Sequence, residues 1–567
     1  MDDKLEELLL TVQKPGRYTG GEWNAVRKEW ADDKVKVCLA FPDVYEVGMS
    51  YLGIKILYGI LNAGADSLCE RVFAPWKDFE NVLRNNNIKL FSLESRKPLN
   101  EFDIVGFSLA YELTYTNVLN VLDLGGIPLR SSERGDGDPL VIAGGPSCYN
   151  PEPMAEFIDA FVIGDGEEAI VEIIDTYRAP STEYRVPRTE LLRKLARIEG
   201  VYVPSLYKIE YSPDGTISKF YAAEKSVPDR IKKRIVKDLD AAFYPTKQIV
   251  PNIQIVHDRI ALEIMRGCKH ACKFCQASAT YRPARERSKD NIMKLAEESY
   301  LNTGYDEISC LSLSSVDHSK IVEIIECLND EFSARSVSIS VPSLRIEDRL
   351  SDLPVLISKV KKSGLTFAPE AASPRLRKIL NKNIDIEKLF KALEESFKAG
   401  WRHVKLYFMI GLPGEEDKDI LDIAGLVYKI SDLKKLTDGH PAHIAVSVNP
   451  FVPKPHTPFE LETMDSMDEL ERKRGILKNT VRSRMIELDF HPFGMSRLEA
   501  MFSRGDRRLS RAVYEAWRRG CRFDSWQDIL DLGAWNGAFR DSGVDQDFYV
   551  KRKIAKSEIL PWGFIDV

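Results

Sequence analysis

Three cysteines in one short stretch have the spacing of a metal-cluster loop. Cys268, Cys272 and Cys275 follow an apolar segment in the order C-x3-C-x2-C. Gly267 precedes the first of them and Phe274 precedes the last, a composition that suits a tight loop. Cysteine thiolates are the usual ligands of a four-iron cluster. Three thiolates would leave one iron of such a cluster open to an external molecule.

Two other interpretations of the three cysteines are open. A zinc site normally has a fourth Cys or His ligand, and the nearby candidate, His270, lies inside the loop, where reaching the same metal would strain the backbone. Buried structural thiols are the second alternative, although packing gives no reason for this spacing. The other cysteines are too few and too scattered for a disulfide scaffold and are expected to be small buried hydrophobes. They are Cys38, Cys69, Cys148, Cys310, Cys327 and Cys521.

The cysteine spacing, with an aromatic residue before the last cysteine, resembles the signature of the radical S-adenosylmethionine (SAM) enzymes. The resemblance implies a [4Fe-4S] cluster with Cys268, Cys272 and Cys275 as ligands and catalytic residues, and with SAM on the open iron. In that family an electron from the reduced cluster cleaves SAM to give a 5'-deoxyadenosyl radical. The resemblance also implies an electron donor such as ferredoxin or flavodoxin, and sensitivity to oxygen.

The region that contains the cysteines alternates β-rich runs with helical periodicity. Six such repeats predict a partial (β/α) barrel, the core fold of radical SAM enzymes, with its site at the carboxyl ends of the strands. The strand ends resemble the SAM-binding motifs of the family. The resemblance implies that SAM is bound by Ser312, Leu313 and Ser314 (amino group), Ser343 and Arg345 (carboxylate), Glu370 and Ser373 (ribose and methionine end), and Ile410, Gly411 and Gly414 (adenine).

Two further groups of polar residues have open roles. The proline-rich loop after the sixth strand carries Lys454 and His456, and a structural role is the alternative to proton transfer for this histidine. Near the C-terminus, five arginines stand close together on a mildly acidic protein. They are Arg497, Arg504, Arg507, Arg508 and Arg511. A solvated helix face is one interpretation of the cluster, and a site for RNA or an anionic metabolite is the other.

The N-terminal part predicts a second α/β domain. Strands alternate with helices over residues 34–178, which predicts a Rossmann-like doubly wound sheet with ligands at the carboxyl ends of its strands. Those ends resemble, in order, the motifs of cobalamin-binding domains. The resemblance implies cobalamin contacts from Asp43, Tyr45 and Gly48, from Ser108 and Leu109, and from Gly144 and Gly145.

Tyr45 departs from the cobalamin motif, because the family places a histidine at this position. A neutral phenol is a poor cobalt ligand, so cobalamin would bind without histidine on its cobalt and with Tyr45 near its lower face. The alternative is a Rossmann-like domain without the cofactor. In that case the segment 43–48 is an ordinary turn and Tyr45 packs against the sheet.

The whole chain predicts an α/β protein with five segments. They are an N-terminal extension (1–33), the Rossmann-like domain (34–178), a connector with a β-hairpin (179–258), the partial barrel (259–469) and a helical region (470–567). The formal net charge of -6 gives no sign of an overall basic nucleic-acid binder. The sequence shows no signal peptide and no apolar stretch long enough to span a bilayer, which predicts a cytoplasmic protein without a membrane partner.

The two resemblances together predict a transferase. Cobalamin beside a radical SAM barrel is typical of methyl or alkyl transfer from SAM to a substrate, here an unknown one. The alternatives are a radical rearrangement, ring closure or methylthiolation without cobalamin. A non-catalytic sensor that uses the cluster is an alternative of another class.

Overall fold

The computed structural model describes residues 2–178, 186–341, 365–382 and 384–567. The chain divides into two compact units. The first contains Met1–Asp258, Met501–Gln546 and Lys556–Val567, and the second contains Arg259–Ala500 and Asp547–Ala555. Both units therefore include residues from the C-terminal region.

The first unit is built on a six-stranded sheet. The strands are β1 (Val35–Phe41), β2 (Ser67–Phe73), β3 (Ile104–Ser108), β4 (Leu140–Gly144), β5 (Ala160–Val162) and β6 (Val201–Tyr202). They lie in the order β2-β1-β3-β4-β5-β6, and all neighbours are parallel except β5 and β6. Strands β1 to β5 are almost wholly buried, as expected of a parallel sheet covered on both faces.

The strand order places a topological switch point between β1 and β3. The chain goes from β1 to β2 on one side, and then returns to the other side of β1 for β3. Ligands of doubly wound sheets bind at the carboxyl ends of the strands beside such a point. The predicted doubly wound architecture is thus confirmed, and the motifs after β1, β3 and β4 come to one edge of the sheet.

Smaller two-stranded sheets complete the first unit. The predicted hairpin is present as β7 (Tyr207–Tyr211) and β8 (Ile217–Ala222), with Gly215 in the turn at a φ of 87°. Strand β9 (Ile231–Lys232) pairs with the last strand of the chain, β19 (Ile565–Asp566).

The second unit contains a three-stranded and a four-stranded parallel sheet. Within the described residues no ladder joins the two sheets, so they form no closed barrel. The three-stranded sheet contains β10 (Ile260–Glu263), β13 (Glu307–Leu311) and β14 (Ser338–Ser340). The four-stranded sheet contains β15 (Leu365–Glu370), β16 (His403–Ile410), β17 (His443–Pro450) and β18 (Ile486–Phe490). A short antiparallel pair contains β11 (Met265–Arg266) and β12 (Arg285–Glu286).

Six of these parallel strands coincide with the six predicted β-rich runs. The seventh, β18, lies in the region that the sequence indicated as helical. Its alternation of apolar Ile486, Leu488 and Phe490 with acidic Glu487 and Asp489 is a strand signal that could have revealed it. The strand extends the parallel sheet beyond the six predicted repeats.

Helices connect the strands in both units. The region 470–567, which the sequence indicates as helical, contains several helices, but they cover slightly less than half of its residues. The helices are Asp2–Leu9, Tyr45–Gly48, Leu52–Ala63, Lys77–Asn85, Tyr115–Leu124, Gly166–Arg178, Arg188–Leu195, Gln276–Thr280, Lys289–Thr303, Ile321–Phe332, Pro374–Ile379, Ile386–Lys398, Asp417–Asp438, Met467–Thr480, Phe493–Ser503, Leu509–Arg518, Leu532–Asp541 and Gln546–Val550.

Buried polar contacts hold the C-terminal residues of the first unit against its N-terminal residues. Asp524 is the centre of one such contact, because its carboxylate accepts hydrogen bonds from Thr116 Oγ1 (2.6 Å) and Trp535 Nε1 (2.9 Å). Asn150 Nδ2 lies 2.8 Å from the carbonyl oxygen of Gly505. Burial raises the pKa of Asp524 to about 6, which the two hydrogen bonds only partly oppose.

The raised pKa of Asp524 predicts a pH-dependent stability. A carboxyl whose pKa is higher in the folded protein stabilises the fold below its unfolded pKa, and this contribution is lost as the pH rises through 6. Asp524→Asn keeps an acceptor for Trp535 and removes the charge. We expect the variant to be more stable than wild type at pH 7 by about 3 kcal/mol, and the difference to vanish near pH 4. Denaturation of both proteins, followed by tryptophan fluorescence across this pH range, measures the difference.

The control for this experiment is Asp528→Asn, which removes an exposed carboxylate from the same loop. Its stability difference from wild type should stay within about 0.5 kcal/mol at every pH. A stability difference for Asp524→Asn that does not change with pH would contradict the assignment.

Candidate functional site

The cysteine loop is closed at its base by β11 and β12. Met265 pairs with Glu286, and the loop runs between the two strands through the helix Gln276–Thr280. Gly267 starts the loop with a φ of 89°, and a Cβ there would lie 2.6 Å from the carbonyl oxygen of Tyr281. A glycine is therefore required for the two ends of the loop to approach this closely.

The middle of the loop is attached to the segment that follows the helix Pro374–Ile379. The Lys273 amide donates to the Leu380 carbonyl (3.0 Å), and Asn381 Nδ2 donates to the Ala271 carbonyl (2.9 Å). Phe274, the aromatic residue of the signature, packs against a buried apolar cluster. The cluster contains Ala371, Leu376, Leu380, Leu412, Phe451 and Phe459. These contacts fix the loop on the strand-end segments that follow β15, β16 and β17.

The three thiols differ in burial. Cys272 is buried, whereas Cys268 and Cys275 are half-buried. Burial is the main cause that raises the pKa of the Cys275 thiol, the nearby Cys272 adds to it, and Lys382 opposes it. Cys272, Cys275 and Lys382 therefore lie in one electrostatic neighbourhood.

His270 is directed at a carboxylate. Its Nε2 lies 2.8 Å from Asp317 Oδ2, within ion-pair distance although outside hydrogen-bond geometry. In the described part of the chain, no three Cys, His, Asp or Glu side chains are grouped like the ligands of one metal ion. A four-iron cluster takes each thiolate on a different iron, so its cysteines need no such grouping. The donor set of three thiols on one anchored loop fits this cluster.

The segment after β13 supplies hydroxyl groups. Ser312 Oγ and Ser315 Oγ are 2.9 Å apart and share a hydrogen bond. The Ser314 hydroxyl oxygen is buried and has no hydrogen-bond partner among the described residues, whereas the Leu313 side chain is 44% exposed. A buried hydroxyl without a partner is costly, so Ser314 fits a site that a polar ligand group completes.

Glu370 ends β15 in a strained conformation. Its φ of 65° lies in the left-handed region that non-glycine residues rarely adopt, and the pairing with β16 shifts its register between Phe367 and Glu370. The carboxylate is 3.7 Å from Lys382 Nζ, and burial raises its pKa in spite of this lysine. Such strain is typical of functional sites. Sequence reasoning missed Lys382, because this residue lies in a helix-to-helix connection without a motif.

Ser373 has a local structural role. Its hydroxyl accepts a hydrogen bond from the Leu376 amide (3.2 Å) and so caps the helix Pro374–Ile379. The same hydroxyl bonds to the carboxylate of Asp419. The structure thus gives Ser373 a helix-capping role in addition to the ligand contact that the sequence predicts. Two predicted residues, Ser343 and Arg345, lie outside the described residues.

The turn after β16 is held by a buried ion pair. Gly411 and Gly414 have φ values of 78° and 77°, and Ile410 before them is buried. The Gly411 amide donates to Glu415 Oε2 (2.7 Å), which also lies 2.7 Å from Lys473 Nζ. Lys473 contacts Asp465 as well, at 2.6 Å. Burial lowers the pKa of Lys473, but its two carboxylate partners outweigh burial and raise it.

At the edge of the N-terminal sheet, the residues after β1 are occupied by contacts within the protein. Asp43 accepts hydrogen bonds from Trp526 Nε1 (3.0 Å) and Ser525 Oγ (3.3 Å). Tyr45 is 1% exposed, and its hydroxyl donates to Glu22 Oε1 (3.0 Å). The Tyr45 ring packs against Phe73 of β2, with ring centroids 5.2 Å apart, and is unavailable to a ligand in this conformation.

Gly48 is also required for packing, because a Cβ there would lie 2.3 Å from the Phe73 ring.

The remaining cobalamin-motif residues meet at the ends of β3 and β4. Ser108 and Gly144 are paired neighbours, and the Leu109 amide donates to the Gly144 carbonyl (2.7 Å). Gly145 has a φ of 113°, and a Cβ there would lie 2.7 Å from the Leu109 carbonyl oxygen. These small residues fit the close approach of a ligand tail to the backbone, whereas position 45 does not fit a cobalt ligand.

The arginine cluster is largely engaged within the protein. Three of its members have carboxylate partners: Arg497 with Asp547 (3.1 Å), Arg507 with Glu152 (3.0 Å) and Arg508 with Asp506 (2.7 Å). Arg504 is buried and Arg511 is exposed. Three of the five arginines are therefore paired with carboxylates of the protein, and the role of the cluster stays a prediction.

The proline-rich loop after β17 is also held by contacts with carboxylates of the protein. Lys454 Nζ lies 2.8 Å from Glu499 Oε1, and the His456 amide donates to Glu460 Oε2 (2.7 Å). His456 has a φ of 62°. These backbone and ion-pair contacts favour a structural role for the loop.

Family models match both units. Residues 262–427 match the radical SAM superfamily, and residues 53–204 match the N-terminal domain of radical SAM proteins. The chain carries radical SAM domains. The radical SAM superfamily implies a [4Fe-4S] cluster and SAM, which the cysteine loop and the strand-end hydroxyls fit.

The chain is also similar to two relatives and to a solved structure. An uncharacterised protein of Methanocaldococcus jannaschii is 27% identical over 510 residues, which cover 90% of this chain and 97% of the relative. The tRNA-2-methylthio-N(6)-dimethylallyladenosine synthase of Syntrophomonas wolfei is 26% identical over 185 residues, 30% of this chain and 40% of that protein. The solved radical SAM methyltransferase TsrM of Kitasatospora setae, with cobalamin and a [4Fe-4S] cluster bound, has a similar fold at 12% identity. Its TM-score is 0.51, and the match covers 76% of this chain and 74% of that chain.

Within the described ranges, every helix is too short or too polar to cross a bilayer.

The buried ion pair beside the Gly411 turn predicts a large effect of a single substitution. Lys473→Met leaves the Glu415 carboxylate buried without its cation, which should cost about 3–5 kcal/mol of stability in the second unit. The weakened turn should also reduce SAM binding. Urea denaturation and equilibrium binding of SAM measure the two effects.

Two variants test the cause of that loss. Lys478→Met removes an exposed lysine from the same helix, Met467–Thr480, and should change stability by less than about 0.5 kcal/mol. Adding Glu415→Gln to Lys473→Met removes the orphaned charge and keeps an acceptor for the Gly411 amide, so most of the stability should return. Failure of the double variant to recover would show that packing of the lysine stem, and not the charge, is responsible.

Proposed function

We propose that the protein is an enzyme that reductively cleaves SAM at a [4Fe-4S] cluster held by Cys268, Cys272 and Cys275. The observation that carries the proposal is the anchored cysteine loop. Its backbone is hydrogen-bonded to the segment after the helix Pro374–Ile379, and its aromatic residue packs among the strand ends. When bound, the cluster supplies the electron that breaks the carbon–sulfur bond of SAM.

The residues of this chain provide the surroundings that SAM requires. Ser314 offers a buried hydroxyl that a polar ligand group would satisfy. Lys382 acts electrostatically on the Cys275 thiol, and its Nζ lies 3.7 Å from the Glu370 carboxylate. One basic and one acidic group are thus near this thiol, which suits the carboxylate and amino groups of a zwitterionic ligand. Gly411 and Gly414 allow close approach to the backbone at the end of β16.

We further propose that the enzyme transfers a methyl or alkyl group and uses cobalamin as a second cofactor. It is supported by the fold that the chain shares with a methyltransferase and by the small residues Ser108, Gly144 and Gly145 at one edge of the N-terminal sheet. When bound, cobalamin supplies a cobalt centre that carries the transferred group. Tyr45 takes no part in holding the cobalt, because its hydroxyl is bonded to Glu22.

Methylthiolation is the second candidate. It is favoured by the Syntrophomonas wolfei relative, whose name describes a methylthio modification of tRNA. This relative matches 30% of the present chain. The substrate of the present protein is proposed to be RNA or an anionic metabolite, and an electron donor such as ferredoxin or flavodoxin is proposed as partner.

The cluster assignment predicts the behaviour of a triple variant. Anaerobically reconstituted wild type should bind about four irons per chain, and on reduction should convert SAM into 5'-deoxyadenosine and methionine or into S-adenosylhomocysteine. The variant Cys268→Ala, Cys272→Ala, Cys275→Ala should bind almost no iron and leave SAM intact. Iron analysis and chromatography of the products measure both results.

Cys327→Ala is the matched control, since this partly exposed cysteine lies outside the loop on the helix Ile321–Phe332. It should retain iron and SAM cleavage within about twofold of wild type. Equal iron binding by wild type and the triple variant would disprove the ligand assignment. A wild type that changes redox state without consuming SAM would instead indicate a sensor.

Methyl transfer predicts the fate of labelled SAM. Enzyme reconstituted with the cluster and cobalamin is incubated with methyl-labelled SAM and RNA, peptide or metabolite extracts of cells that lack this protein. We expect a product that carries the intact labelled methyl group, and the yield should depend on added cobalamin. Mass spectrometry identifies the product.

Other outcomes separate the alternatives. A labelled product with added sulfur and no need for cobalamin would support methylthiolation. Formation of 5'-deoxyadenosine with an unlabelled, rearranged product would refute both transfer reactions.

A further inference from the structure

A cavity of 380 Å³ lies in the first unit, between the helix Leu52–Ala63 and the segment 243–249. Lys55, Gly59 and Asn62 of this helix line it, and their spacing of three and four residues places them on one face. A Cβ at Gly59 would lie 2.5 Å from the Phe243 ring. The glycine thus lets Phe243 close one wall of the cavity.

The walls are mostly apolar, and the size is that of a small-molecule site. Pockets that bind such ligands have volumes of about 300–1,000 Å³ and a few placed polar groups. The apolar lining residues include Val26, Met49, Ile54, Tyr58, Phe243 and Ile249. A compact ligand with an aliphatic or aromatic body matches these walls.

Lys55 places an amine in this apolar setting. The side chain is buried, and its hydrogen-bond acceptor among the described residues is Gln248 Oε1, at the long distance of 3.4 Å. Gln248 is itself oriented by Tyr244, whose hydroxyl accepts from Gln248 Nε2 (2.9 Å). Among the described residues no carboxylate lies within ion-pair distance of Lys55 Nζ. An ammonium group buried in this way is costly unless an anion pairs with it.

The second cation of the lining, Arg71, is already neutralised. Its Nε lies 2.6 Å from Glu94 Oε1, and its Nη2 lies 3.0 Å from Glu22 Oε2. Arg71 therefore has carboxylate partners of its own. Lys55 is the buried lining cation that has no carboxylate within ion-pair distance among the described residues, so a single ligand carboxylate has its place at Lys55.

We propose that this cavity binds a small monocarboxylate with an apolar body, with its carboxylate on Lys55 Nζ and its body against the apolar walls. No residue of the cysteine loop takes part, so the proposal is independent of the proposed function. Burial lowers the pKa of Lys55 to about 8, with the exposed Asp258 opposing and Arg71 reinforcing this shift. The amine is therefore mostly protonated at pH 7 and able to pair with an anion.

The test is equilibrium binding of a panel of monocarboxylates to the full-length protein by calorimetry at pH 7. The panel contains straight-chain carboxylates from propionate to decanoate, and 3-phenylpropionate. We expect at least one member to bind with a dissociation constant below about 1 mM. Its neutral amide should bind at least tenfold more weakly, because it lacks the charge that pairs with Lys55.

Lys55→Met keeps the length of the side chain and removes the amine, so it should weaken binding of the same carboxylate at least tenfold. Removing an unpaired buried charge should also leave the fold at least as stable as wild type. Lys55→Gln is a second variant with the same expected loss. Lys247→Met, at an exposed lysine that also lines the cavity, is the control and should change affinity less than threefold.

The pH dependence of carboxylate affinity is an independent test of the role of Lys55. Since the free amine loses its proton with a pKa of about 8, affinity for the carboxylate should fall roughly 30-fold between pH 7 and pH 9.5. The proposal is overturned if no panel member binds with a dissociation constant below about 1 mM, or if Lys55→Met binds as tightly as wild type. It is also overturned if Lys247→Met loses affinity to the same degree as Lys55→Met.

Discussion

Parallel pairing of strands is the constraint on which both units depend. Since the carboxyl ends of parallel strands lie at one edge of a sheet, each strand-to-helix turn adds its residues to the same side. In the second unit this pairing places Glu370 opposite Phe408 and the turn after Ile410 beside Pro450. In the first unit it places Ser108 beside Gly144. Residues far apart in the sequence become neighbours without any direct bond between them.

Buried ion pairs hold several elements of the two units in place. Glu415 is matched by Lys473, and Arg71 is matched by two carboxylates. Because a buried charge is stable only with a partner, each pair fixes the position of the elements that carry it. Lys55 differs from these pairs, because its acceptor is not a carboxylate but the amide oxygen of Gln248, 3.4 Å from Nζ. A charge that the fold itself leaves uncompensated is the kind of feature that a ligand completes.

The C-terminal region contributes to the first unit through long-range contacts. Trp526 donates to Asp43 across more than four hundred residues of chain, and Asp524 joins Thr116 to Trp535. The sequence presents Asp43 as part of a ligand motif, and the structure shows the hydrogen bonds that it already makes. A motif specifies which side chains stand at a strand end, but their partners depend on what else packs there.

The cysteine loop, most strand runs of the two units and the hairpin can be predicted from the sequence alone, because they depend on spacing and periodicity within short segments. The glycine turn at Gly411 can be predicted as well, since its backbone requirement is local. The ion pairs of Lys382 and Lys473, the packing of Tyr45 and the cavity around Lys55 become visible only in the folded protein. These four features arise where segments distant in the chain meet. Their residues carry no pattern of their own, because side-chain contacts between distant segments leave no periodicity in a single sequence.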